Sequence, residues 1–352
     1  MMKKIFSVFL TLTLLACTGL AFGEEYPITV NGVTYNSPKN PKDVTVAAVV
    51  YQQDAHQSII RKAAVECAKA YGVNCMDAVT DSDTAKALEL MGTYSAHGVN
   101  GYIWAPGSTS ELEPLKQIHE EGYAVTITNG CTEPSFIPSY DGCYYNDNVS
   151  MCNTLSAVSK DAILELYADK IAAGEPLKIA LIVFDAISIE YSDVRVNAIL
   201  KNLDDAGIKY EVVARQDATE QDVAIQVASD ILTANPDLDM FVSACESASI
   251  GAIMSCVNAG TTDCHVFGID VSVQLAKLMQ EYPGLGICFV GQNSYEGGWR
   301  AAEQCIQIAL GLGGNPEEVG QVNVCTDKVL DSTHPETITE YVEEMASYGV
   351  TG

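Results

Sequence analysis

The strongest constraint on this chain is a rhythm. Short apolar runs alternate with longer segments whose apolar residues recur at helical spacing. Val44 to Val50 is almost wholly apolar, as a strand covered on both faces must be; a half-exposed strand would alternate instead. Ser58 to Tyr71 then sets Ile60, Ala63, Ala64, Cys67 and Ala68 on one helical face. Strands follow near Val73–Ala78, Gly101–Ala105 and Ala124–Thr128, with helices near Asp83–His97 and Ser110–Glu121 between them. Strand and helix in strict alternation predict a parallel sheet with right-handed crossovers.

The rhythm pauses in a loop rich in Pro, Ser and Gly (Asn129 to Asp147) and then restarts. A helix is expected over Val149–Ala172. Strands are expected at Lys178–Phe184, Tyr210–Arg215, Met240–Ser243, His265–Ile269 and Gly286–Val290, and helices at Asp193–Ala206, Thr219–Ala234, Ser247–Ala259 and Val273–Gln280. A helix at Glu296–Leu312, a strand near Gln321–Thr326 and a terminal helix near Pro335–Ser347 close the chain. The expected fold is α/β, with two doubly wound parallel-sheet lobes. Ahead of them lies a polar leader, 24–43, with a short hairpin around Asn31-Gly32.

The first residues set the compartment. Lys3 and Lys4 precede a short apolar run, Ile5 to Ala16, in the pattern of a signal peptide. Two processing sites compete: cleavage after Ala21-Phe22-Gly23, which removes 1–23, or a lipobox at Leu14–Cys17 that makes Cys17 a lipidated residue. Both expect an exported protein, in the periplasm or on the extracytoplasmic face of the membrane. Export gives the 12 cysteines a meaning, since disulfides persist in oxidising compartments. Cys67 and Cys75 share one spacing with Cys256 and Cys264, and Cys131 and Cys143 flank the Pro/Ser loop. These three pairs are disulfide candidates; the other reading is that they are small buried thiols. No Cys/His cluster has zinc spacing.

Charge and absent motifs narrow the function. With 19 basic against 46 acidic residues, a formal charge of −27, the surface repels phosphate backbones, and no nucleic-acid partner is expected. Nucleophile-elbow, zinc-protease and phosphate-loop motifs are missing, and Tyr51-Gln52-Gln53-Asp54 replaces a Gly-rich turn after the first strand. Binding is therefore expected over catalysis, with no cofactor and no metal.

In this order of features the chain resembles the type I periplasmic substrate-binding proteins of ABC importers, the ribose/galactose-binding branch. The resemblance covers about 44–326. It rests on Val46–Val50 and its turn, Ile118–Asn129, Tyr145–Asn148, Arg195 with Ala198-Ile199, Phe241–Ile253, Phe267–Asp270, and Cys288–Gln292 followed by Glu296. It implies two lobes joined by a three-crossing hinge. The lobes are expected at 44–146 plus 293–320 and at 147–292 plus 321–334, with 335–352 a C-terminal helix and tail. Two lobes of this kind close on a small solute, here a sugar or sugar-like molecule delivered to an ABC permease. A chemoreceptor or sensor kinase is the alternative partner, and an exported enzyme a third reading. A monomer is expected.

The resemblance also implies a ligand set. Asp270 and Gln292 match its sugar-binding aspartate and glutamine; a carboxylate accepts several hydroxyl bonds at once. Asn129 stands where the family has Asp, and Gly130 where it has Arg. Glu246 stands near an Asn-Asp pair, and Asp193 where another Arg is common. The first turn supplies Tyr51, Gln53, Asp54 and His56. Trp104 and Tyr191 are candidates to stack on a sugar face. The alternative readings are helix capping for Asp54 and Asp270 and a hinge bond for Gln292, and core packing explains Trp104 equally well. Such an acid-rich set fits a neutral polyhydroxylated or cationic ligand better than an anionic one.

Overall fold

The computed structural model describes residues 25–129 and 139–350. The leader peptide 1–23, Cys17, Gly130 and Cys131 lie outside the described residues.

A hairpin opens the chain, β1 (Tyr26–Val30) against β2 (Val33–Ser37). Asn31 and Gly32 make its turn, both at positive φ as a two-residue turn requires. The first lobe runs through β3 (Thr45–Val50), α1 (Ala55–Tyr71), β4 (Asn74–Val79), α2 (Thr84–Ala96), β5 (Gly101–Trp104), α3 (Leu112–Glu120), β6 (Ala124–Thr128) and β7 (Cys143–Tyr145). The second holds α4 (Asn148–Leu166), α5 (Ala168–Ala173), β8 (Leu177–Val183), α6 (Asp185–Asp205), β9 (Tyr210–Asp217), α7 (Gln221–Ala234), β10 (Met240–Ser243) and α8 (Glu246–Ala259). It continues with β11 (His265–Ile269), α9 (Val273–Glu281) and β12 (Gly286–Gln292). The chain returns to the first lobe for α10 (Ser294–Ala309) and β13 (Val322–Val324). It then crosses back for β14 (Asp327–Asp331) and α11 (Pro335–Ser347).

The two sheets have strand orders β13-β7-β6-β5-β3-β4 and β14-β12-β11-β10-β8-β9. Each position in one has its counterpart in the other. All pairs are parallel except β14 with β12. The residues just beyond equivalent strands therefore match: Tyr51 with Phe184, Asn129 with Asp270, Asn146 with Asn293. Both members of the second pair carry a left-handed backbone, φ 42° at Asn129 and 73° at Asp270. After glycine, Asn and Asp are the residues that enter that region most readily, because their short polar side chains can hydrogen-bond locally.

Three chain segments cross between lobes, and one side chain ties them. Asn146 Nδ2, on the first crossing, donates to Thr326 O (2.9 Å) and Asp327 Oδ1 (3.3 Å) on the third. Its Oδ1 accepts from Asn293 N (3.0 Å) on the second. Asn293 Nδ2 in turn donates to Thr326 Oγ1 and to Glu296 Oε2, both at 2.9 Å.

The expected division between lobes needs one correction. Val322–Val324, placed with the second lobe by the sequence reading, pairs with β7 in the first sheet, so the third crossing falls at Cys325–Thr326. The helix expected over Val149–Ala172 is broken at Tyr167, whose buried hydroxyl donates to Asp239 O at 2.8 Å. α6 begins at Asp185 rather than Asp193 and kinks at Ser188. Two of the candidate disulfides are free thiols here: Cys67, Cys256 and Cys264 pack as small apolar groups in the cores, and Cys75 is half-buried; of the third pair, Cys143 is buried and Cys131 lies outside the described residues. α11 docks on the second lobe, yet Tyr348 just beyond it stacks on Tyr295 of α10 (3.9 Å, 4° between planes).

Two substitutions test this frame. α1 lies so close to α10 that a Cβ on Gly298 would sit 2.4 Å from Ile60 O. G298A should lower stability by about 1–3 kcal/mol in urea denaturation, the usual cost of overpacking. N146A should cost a similar amount, since it leaves buried hinge groups unpaired. It should also broaden the particle in small-angle scattering as the lobes loosen.

Candidate functional site

The carboxyl ends of both sheets turn toward one cleft beside the hinge, the place where open α/β sheets bind ligands. Two cavities share Gln292, the last residue of β12. The larger, about 820 Å³, is lined by Tyr51 and Asn129 from the first lobe and by Phe184, Tyr191 and Arg195 from the second. The smaller, about 220 Å³, is lined by His56 and Ile59 from α1, by Glu246 and Asp270 from the second lobe, and by Tyr341 of α11. Ile59 packs into the hydrophobic core of the opposite lobe, so the lobes are in contact around this cavity.

Arg195 organises the second-lobe wall. Its Nη1 donates to Asp270 Oδ2 and to Ala244 O, each at 2.8 Å, and its Nε donates to Asn148 Oδ1 at 3.0 Å. The guanidinium stacks over the Phe184 ring, 5.3 Å from its centroid. Ser272, not Asp270, caps α9 by accepting from Leu275 N. Asp270 is thereby left to its ion pair and to the cavity. Glu246 begins α8, and among the described residues no cation lies within ion-pair distance of it. Burial raises its pKa above the usual carboxylate value, a hydrogen bond from Ser272 opposes this, and Asp270 adds to it.

The first-lobe wall carries His56. Its Nδ1 makes a short hydrogen bond with Ser294 Oγ, and Asn129 is a second hydrogen-bonding neighbour of the ring. Burial lowers its pKa, against the opposing pull of Asn129, Asp54 and Asp270. Asn129 is also a hydrogen-bonding neighbour of Tyr51, whose phenol burial pushes up. Gln57, fully buried, is another hydrogen-bonding neighbour of Tyr51, and Asn148, which lines the larger cavity, leaves its Nδ2 without a partner among the described residues. An unsatisfied buried group costs about 1–3 kcal/mol, so the Asn148 amide is a donor that a polar guest in the larger cavity can satisfy.

The structure brings Tyr51, His56, Asn129, Tyr191, Glu246, Asp270 and Gln292 to the cleft. Tyr191 is half-exposed at the rim, beside the exposed Ile187 and Ile189. Four candidates go elsewhere. Trp104 is 0% exposed and donates Nε1–H to Glu111 Oε2 (2.7 Å); it ends a central strand, where helices cover both faces. Asp54 caps α1, accepting from Gln57 N at 2.7 Å. Gln53 is exposed and lines neither cavity. Asp193 pairs with Arg215 at 2.8 Å, away from both cavities. Sequence reasoning missed Asn148 and the central role of Arg195. Only Arg195 carried a signal, its place at the start of an R-x-x-A-I helix segment.

His56 gives this site a pH signature. An imidazole whose pKa falls on folding costs stability as pH drops below its unfolded value of about 6.5, because the unfolded chain takes the proton more readily. Thermal melts from pH 7.5 to 5.5 should therefore show wild type losing stability relative to H56N, and the two curves converging at the alkaline end.

Comparison with known proteins places this geometry. The family described as periplasmic binding protein domain matches residues 46–313. The chain is 22% identical over 244 residues to the ABC transporter periplasmic-binding protein YphF of Escherichia coli (strain K12), covering 68% of this chain and 72% of that one. Among solved structures it resembles a solute-binding protein of Actinobacillus succinogenes 130z with bound D-allose (TM-score 0.66, 18% identity, 85% of this chain and 100% of that one). A solute-binding protein of Bacillus halodurans C-125 with bound myo-inositol is similar (TM-score 0.65, 16% identity, 87% and 99%). So is a periplasmic ribose ABC transporter protein of Conexibacter woesei DSM 14684 (TM-score 0.67, 15% identity, 88% and 97%).

Proposed function

Because the chain belongs to the periplasmic binding protein family, we propose that it captures a small sugar or sugar-like solute in this cleft. It then hands the solute to the permease of an ABC importer. The reading places the mature protein outside the cytoplasm, free in the periplasm or held to the membrane through Cys17. One observation carries it. Polar groups beyond equivalent strands of two lobes converge on a single cleft next to a three-segment hinge. The similar structures with bound allose and inositol lend support, since both ligands are neutral and polyhydroxylated.

The chemistry of capture follows from the walls. Asp270, held by Arg195, offers its remaining lone pairs to ligand hydroxyls. Gln292 and Asn129 each donate and accept, which suits hydroxyls that do both. Tyr51, Phe184 and Tyr191 present ring faces to the C–H side of a sugar. Walls on separate lobes mean that the bound ligand makes its full set of contacts only when the lobes close. The ligand therefore shifts the population toward the closed form by its differential affinity. No step requires a bond to be made or broken in the ligand.

A thermal-shift panel of pentoses, hexoses, polyols and amino sugars, run on protein unfolded and refolded to remove carried-over ligand, tests this. A ligand at about 100 times its Kd should add about 2.7 kcal/mol of stability and raise Tm visibly. D270N should weaken the responding ligand at least about tenfold by calorimetry, the scale of one charge-assisted hydrogen bond. Silence of the whole panel would sink the sugar reading.

A further inference from the structure

We propose that residues 341–350 form a strap that ties the two lobes to each other and raises the closed population before any solute arrives. The strap sets the resting position of the lobes, whichever solute the cleft takes.

One end of the strap is rooted in the second lobe. Ile338, Tyr341 and Met345 of α11 lie in that lobe's core, Tyr341 Oη donates to Val271 O at 3.4 Å, and Lys328 pairs with Glu344 at 2.5 Å. The helix ends in a left-handed turn that Tyr348-Gly349-Val350 encodes. Gly349 has φ 78°, its N–H donates to Ala346 O, and the Val350 N–H reaches back to Met345 O, both at 2.9 Å. This pair of hydrogen bonds folds the apolar residue after the glycine onto the last turn of the helix. Val350 and Met345 both line the smaller cavity, so the turn is built into the wall of the site.

From that fixed end Tyr348 reaches the first lobe. Its ring lies flat on Tyr295 of α10, 3.9 Å between centroids and 4° between planes, and Tyr295 stacks in turn on Trp299 (6.0 Å, 24°). The stack is pinned on both sides. Tyr348 Oη donates to Glu344 Oε1 of α11 at 3.0 Å, and Tyr295 Oη donates to Glu66 Oε2 of α1 at 2.9 Å. Rings held flat at this spacing tolerate little rotation of one lobe against the other, because a tilt lifts one ring off its neighbour. An aromatic pair of this kind shifts a two-state ratio about two- to tenfold. Ile59 works in the same direction from α1, since it packs in the core of the second lobe. A closed form that is already well populated raises the apparent affinity for any solute, because less of the binding energy goes into closing.

Small-angle scattering of the refolded mature protein, measured without solute, tests the strap. Wild type is compared with Y348F, Y348A and a chain ending at Ser347. Wild type and Y348F, which keeps the stacked ring, should be compact. Y348A and the shortened chain should shift to a larger radius of gyration and maximum dimension. Tyr348 is half-buried at a helix end, so both variants should still melt in one cooperative transition, and they remove the contact by separate routes, so either suffices. A solute that responds in the thermal-shift panel should contract the shortened chain more than wild type and bind it about two- to tenfold more weakly. Identical scattering from all four proteins would overturn the strap and leave the sugar-binding reading standing. Silence of the panel together with expansion of Y348A would overturn the sugar reading and support the strap, because the scattering comparison needs no solute.

Discussion

The structure hangs on a knot of amides at the hinge. Asn146 reaches from the first crossing to the second and the third, and Asn293, its counterpart in the other lobe, reaches to the third as well. Three backbone segments in one place would otherwise leave several peptide groups unpaired. Two side-chain amides, each able to donate and accept, satisfy them without bulk. The same knot fixes where each sheet ends. Gln292 is the last residue of its strand and Asn293 the first of the hinge, so the ligand-facing glutamine and the hinge are chemically continuous.

From that constraint the cleft follows. Two sheets of matched order, joined at one edge, must point equivalent strand ends at each other. The residues there are not matched in chemistry. Tyr51 faces Phe184 in the equivalence, and neutral Asn129 corresponds to charged Asp270. Repetition supplies the frame, and divergence supplies a binding surface with two different walls. Both Asn129 and Asp270 keep a left-handed backbone, which Asn and Asp enter more readily than other non-glycine residues.

The segments outside the family match add their own layer. α11 lies beyond residue 313, yet Tyr341 lines the smaller cavity and Tyr348 bridges to Tyr295 of the first lobe. The Tyr295 hydroxyl donates to Glu66 of α1 at 2.9 Å, so the bridge ends on a helix of the opposite lobe. The C-terminal helix is thus both a wall of the site and a contact that favours the closed arrangement.

The sequence by itself determined the central strands, the helices between them and the restart of the pattern that makes two lobes. Those features depend on local apolar periodicity, which needs no knowledge of distant residues. Asp270 and Gln292 were singled out through the family resemblance, at the ends of strands that the pattern locates. The short strands β7, β13 and β14 were placed wrongly or not at all. Each is held by a partner far away in the chain, and a three-residue strand has no period of its own. The tertiary structure alone decided which polar residues face the cleft. Asp54 and Asp193 look as suitable as Glu246 in a string of letters. A helix N-terminus claims the first and Arg215 claims the second, while the third has a hydrogen bond from Ser272 and lines the smaller cavity. Trp104 was lost to the core because its strand lies in the middle of the sheet, and a strand's place in the sheet is set by pairing across the whole chain.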